Sequence, residues 1–161
     1  MQAGHTSTVE VLKLMEAFVN EDNFTVWSSI NNCLAKVSVL VSHTDYEDEY
    51  KAYGRRLLAN IYQRLGWVAK PGESHLDTML RGLVIGRLVA FGETSVVEEA
   101  KKRFHEHTHN GVQIPADLRS AVYKAVLSVG DEKTYNSMLK VGRKNWHFFF
   151  ENTLVRKSCL L

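Results

Sequence analysis

Apolar side chains recur at intervals of three and four residues along most of this chain, and that period dictates helices. The clearest stripe is Leu76, Met79, Leu80, Leu83, Val84, Leu88 and Phe91. Trp27, Ile30, Leu34, Val37 and Val41 form another, and Tyr50, Leu57, Leu58, Ile61 and Leu65 a third. A shorter one, Val11, Leu14, Met15 and Phe18, lies near the start. Val97, Ala100 and Phe104 follow, then Leu118, Val122, Ala125, Val126 and Val129. Only two prolines, Pro71 and Pro115, occur in 161 residues, and proline is the residue that breaks a helical ladder. No stretch alternates with period two for long enough to predict a strand. The reading is all-α: about seven helices of roughly 10–20 residues, joined by short loops.

Turn and cap residues punctuate these stripes. Asn20-Glu21-Asp22-Asn23 reads as a polar turn. Asp45 is placed to cap the third helix, Gly66 ends it, and Lys70-Pro71-Gly72-Glu73 is the strongest loop signal. Gly92 stops the fourth helix. Thr94 or Ser95 is placed to cap the fifth, with Glu98 in position for a capping box, and Asn110-Gly111 ends it. Asp117 is the expected cap of the sixth, Gly130-Asp131 forms a turn, and a last helix starts near Glu132. Gly82 and Gly86 lie four apart inside the fourth helix, where each glycine costs about 1 kcal/mol against alanine. Close helix–helix packing accounts for them. A membrane dimer motif does not, because Arg81 and Arg87 flank the pair.

Composition narrows the function classes. Twenty basic and 18 acidic residues leave a net charge of +2, no electrostatic footprint for nucleic acid. Arg55-Arg56 and Lys101-Lys102-Arg103 read as solvated helix faces. Two cysteines, Cys33 and Cys159, build no disulfide framework. Cys33 reads as a small core residue, Trp27 and Trp67 as packing aromatics. The start of the chain has no basic region followed by an apolar core, so no signal peptide is expected, and the apolar run Gly82 to Gly92 is too short to span a bilayer. These observations predict a cytoplasmic protein without a membrane partner. Under that address the sequon Asn23-Phe24-Thr25 stays unmodified.

Several separated motifs carry a family likeness in a consistent order. The strongest is Leu65-Gly66-Trp67, Lys70-Pro71-Gly72-Glu73-Ser74-His75-Leu76-Asp77 and Leu80-Arg81-Gly82-Leu83-Val84. Met15-Glu16-Ala17-Phe18-Val19-Asn20-Glu21 and Ser42-His43-Thr44-Asp45 precede it, and Ala116-Asp117-Leu118-Arg119-Ser120 with Val122-Tyr123 follows. Together they resemble the C-terminal domain of puromycin-sensitive aminopeptidase, in the aminopeptidase N superfamily of zinc metallopeptidases. The likeness implies an α-α superhelix, a HEAT-like solenoid over residues 1–140. In such an enzyme this stack caps a separate thermolysin-like catalytic domain, helps enclose the peptide cavity, and opens and closes to admit and sort peptides. Residues 141–161, with the cluster Trp146-His147-Phe148-Phe149-Phe150, depart from that pattern; the aromatics are expected to pack as a makeshift cap on the stack, the alternative being an exposed, adhesive patch.

His105-Glu106-His107-Thr108-His109 fits H-E-x-x-H, which puts two histidines on one helix face with a glutamate as general base. Its surroundings argue against a catalytic centre. Eighteen residues beyond His109, where the resembled family has its third ligand, a glutamate, the next position is Ser128. The metzincin alternative fails at Val112 and Pro115. The family's G-x-M-E-N stretch, which holds the substrate's amine, is absent. Histidines in the last turn before Asn110-Gly111 are explained by the helix dipole and capping, with at most weak incidental zinc binding by His105 and His109. His105, Glu106 and His109 are therefore read as a chance match.

Arg81 and Arg119 are the candidate peptide-cavity residues, able to attract a substrate carboxylate. The competing reading ties them into structural ion pairs, Arg81 with Asp77 and Arg119 near Asp117. The expectation is a chain that is non-catalytic alone and carries no cofactor, zinc belonging to the full-length enzyme. Its partners would be peptides or an aminopeptidase catalytic domain, and self-association is expected because a cut solenoid leaves apolar faces without neighbours. The alternatives are a freestanding scaffold that binds proteins through its concave face and a minimal zinc hydrolase.

Overall fold

A computed structural model describes residues 7–130 and 132–144. The aromatic cluster expected to cap the stack lies outside the described residues. Among those residues the chain is entirely helical, with no strand: α1 (Thr8–Glu16), α2 (Phe24–Val41), α3 (Glu47–Leu65), α4 (His75–Ala90), α5 (Thr94–Asn110), α6 (Ala116–Val129) and α7 (Glu132–Lys144). None of these helices is long and apolar enough to cross a membrane.

Local chemistry sets the boundaries. Ser7 and Ser74 start α1 and α4 with reciprocal capping boxes to Glu10 and Asp77, and Asn23 caps α2 by accepting from the Thr25 amide at 2.8 Å. Gly66, Gly92 and Gly111 end α3, α4 and α5 with positive φ, a conformation side chains disfavour. Three expected caps are displaced. Tyr46, not Asp45, precedes α3 and makes no side-chain cap bond; Glu47, Asp48 and Glu49 in the first turn complement the helix dipole instead. Glu93 is the N-cap of α5, its carboxylate accepting from the Ser95 hydroxyl at 2.9 Å, while Glu98 pairs with Lys101. Pro115 precedes α6, so Asp117 lies inside the first turn.

The helix α4 is the centre of the packing. It contacts α6 most extensively, then α3, α2 and α5. A β-carbon added at Gly82 would lie 2.6 Å from the Asp117 carbonyl oxygen, and one at Gly86 would lie 3.9 Å from the Ala121 β-carbon. The two contacts advance together along both helices, so α4 and α6 run parallel. Helices two apart in sequence thus share a layer, α2 beside α4 beside α6, with the intervening helices packed behind; this is how stacked helical hairpins bury a continuous core. Leu80, Val84, Ile85 and Leu88 fill the middle with Trp27, Leu34, Leu58, Leu65, Phe91, Val96 and Val122. The predicted stripes were wider than the buried ones. Leu14, Phe18, Leu76, Met79 and Val129 are exposed; they lie at or near the ends of α1, α4 and α6, where fewer neighbours cover them.

Candidate functional site

Arg81 points into the structure, not into an open cleft. Among the described residues it is the only buried charged one, at 2% exposure. Its Nη2 donates to both Glu73 carboxylate oxygens, at 2.5 and 2.6 Å, and to the Leu65 carbonyl at 3.2 Å; Nε reaches the same carbonyl at 3.3 Å. Leu65 is the last residue of α3 and Glu73 stands two before α4. The guanidinium therefore clamps the loop between them and satisfies a C-terminal carbonyl that has no helical partner. The expected pair with Asp77 does not form. Asp77 is engaged with the Ser74 cap and lies 3.3 Å from Arg64. The Glu73 carboxyl is held below its ordinary value chiefly by the Arg81 hydrogen bond, and that of Asp77 chiefly by the Ser74 hydroxyl.

Arg119 is half-buried on α6, and its Nε donates to the Ile114 carbonyl at 3.0 Å, back across the start of its own helix. Arg81 and Arg119 have different hydrogen-bond partners, and each fixes a helix entry.

The histidine segment occupies the last turns of α5. The His105 and His109 rings stack with centroids 4.0 Å apart and planes within 12°. His109 Nδ1 lies 3.1 Å from the His105 carbonyl and 2.9 Å from the Thr108 hydroxyl. His107 lies elsewhere on the helix, its Nδ1 2.8 Å from the Val112 carbonyl. Among the described residues no three His, Cys, Asp or Glu side chains converge to hold a metal. A catalytic zinc centre needs three protein ligands and an open position.

Sequence reasoning missed three cationic anchors. Arg55 was assigned to a solvated face, but it is half-buried and donates to the Phe91 carbonyl at 2.6 Å, 3.8 Å from Glu93. Arg103, in the other basic group, is half-buried over the Trp67 ring at 4.9 Å, with Glu99 at 2.8 Å. Arg87 joins α4 to α2 through the Asn31 side chain at 2.7 Å. No local pattern announces such long-range partners. The glutamate of the Lys70-Pro71-Gly72-Glu73 turn was read only as punctuation.

The family model described as ERAP1-like C-terminal domain covers residues 1–146. The chain belongs to that family. It is 33% identical to Aminopeptidase M1-B of Oryza sativa subsp. japonica over 83% of its length, and 33% identical to Aminopeptidase M1 of Arabidopsis thaliana over 88%. Aminopeptidase N of Lactococcus lactis subsp. lactis (strain IL1403) is 30% identical over 75%. The chain spans 16%, 17% and 14% of those three proteins respectively. It is thus homologous to the C-terminal domain of aminopeptidases, and its likeness covers that part alone.

Proposed function

We propose that this chain is the helical C-terminal segment of a puromycin-sensitive-type zinc aminopeptidase of the cytoplasm, and that in the whole enzyme it encloses the peptide cavity. On this reading it is non-catalytic alone, and the zinc and the groups that cleave peptides come from a separate domain. The observation that carries it is the family match over residues 1–146 combined with coverage of only 16% of a relative's length. Homologous aminopeptidases carry a far longer chain beside this segment. The clamped α3–α4 loop and the tight α4–α6 contact supply what an enclosing wall requires, namely helices held in fixed register.

The test is a chimera in which residues 7–140 replace the matching stretch of Aminopeptidase M1-B. Retained cleavage of a small aminoacyl amide, with an altered preference among peptides of different length, supports the reading. A soluble chimera that handles peptides of every length as the parent does would refute a role in the cavity.

A further inference from the structure

We propose that this chain associates head to tail with a second copy of itself, the corner where α2 turns into α3 receiving α7 of the next molecule. The proposal does not rest on the aminopeptidase reading. It concerns the two ends of the helical stack, and three observations carry it. The first is an apolar corner. Val39 and Leu40 end α2, Tyr46 precedes α3, and each of the three is at least 67% exposed. Large apolar side chains grouped in this way gain free energy when a partner takes them out of water.

The second observation is rigidity. The Ser42 and Thr44 hydroxyls donate to the Val39 and Val41 carbonyls at 2.9 and 2.7 Å, and the His43 amide donates to the Glu47 carboxylate at 2.8 Å. These bonds surround His43, which at φ 64° is the only non-glycine residue with positive φ among the described residues. A backbone conformation that side chains disfavour persists only where its surroundings fix it. The corner is therefore ordered before a partner arrives, and docking costs it little entropy.

The third observation is charge, which selects the occupant. Asp45, Asp48 and Glu49 are exposed around the corner and form no ion pair among the described residues. No lysine or arginine occurs from position 42 to position 49. The other end of the stack has the opposite sign. The sequence of α7 contains Lys133, Lys140, Arg143 and Lys144 against Glu132 alone. This helix packs on α6 with Met138 buried, and it leaves Tyr135 and Leu139 exposed. An acidic rim around apolar side chains thus matches a basic helix that carries apolar side chains of its own. The two surfaces differ, so the contact is heterologous and repeats from copy to copy instead of pairing symmetrically.

The test is sedimentation velocity of the full chain over a concentration series, with two double variants checked for helicity by circular dichroism. Val39→Ser with Leu40→Ser removes the corner, and Tyr135→Ser with Leu139→Ser removes its partner; all four side chains are exposed. The parent should grow in mass with concentration, past the dimer, and less so as salt rises. Each double variant alone should associate at least about ten-fold more weakly. An equimolar mixture of the two should recover a dimer and nothing larger, because each supplies the surface that the other lacks. A parent that stays monomeric or stops at a dimer, a double variant that associates as the parent does, or a mixture that stays monomeric would overturn the proposal.

Discussion

The close approach of α4 to α6 makes a paired prediction. Gly82→Ala would place a β-carbon 2.6 Å from the Asp117 carbonyl oxygen, a backbone atom in the first turn of α6. That oxygen cannot swing aside as a side chain would, so α4 and α6 must separate. Gly86→Ala would place its β-carbon 3.9 Å from the Ala121 β-carbon, an ordinary contact. Each substitution gains about 1 kcal/mol of helix propensity, and that gain cancels when the two variants are compared. What remains is the overpacking at Gly82, about 1–3 kcal/mol. Gly86→Ala should therefore raise the melting midpoint, and Gly82→Ala should melt below it by about 2–4 °C for each kcal/mol. Differential scanning calorimetry of the three proteins reads this directly. Equal stabilisation by both alanines would refute the parallel α4–α6 register on which the layered fold depends.

Other substitutions probe separate joints. Tyr53→Phe removes the hydroxyl that donates to the Leu12 carbonyl at 2.7 Å; it should cost about 0.5–1.5 kcal/mol and speed hydrogen exchange in α1 more than in α4. Ser74→Ala breaks the capping box of α4 and should cost about 1 kcal/mol by chemical denaturation. The Arg81 clamp predicts a pH dependence. The Glu73 carboxyl is held below its ordinary value of 4.5 by Arg81, so its contribution is fully present above that value and lost as pH falls through the depressed one. Urea midpoints between pH 6 and pH 3 should fall for the parent chain and fall less for Arg81→Met, in which Glu73 has no guanidinium to lose.

How much of this was legible in the sequence follows from the range of each interaction. The 3.6-residue period identified Trp27, Leu34, Leu58 and Val84 as core, because an amphipathic stripe is a local property. Gly82 and Gly86 signalled a close approach, and the structure supplies it at Asp117 and Ala121. The partner of Arg81 was not legible. Asp77 at helical spacing was the natural choice, but Ser74 occupies that carboxylate as a cap, and the loop folds Glu73 back onto the guanidinium. The caps of α3, α5 and α6 shifted by one or two residues for a similar reason: each loop's exit path sets where helical dihedrals begin. H-E-x-x-H was legible as a motif, and the reading of it as a chance match rested on Ser128, Val112 and Pro115 at positions where zinc-site patterns need other residues.

The central claim is tested most directly by measuring turnover of a fluorogenic amino-acid amide by the purified chain, with and without added zinc. The account predicts no turnover in either condition. Zinc-dependent turnover that disappears in Glu106→Gln would contradict it and make His105, Glu106 and His109 the centre of a minimal metallopeptidase.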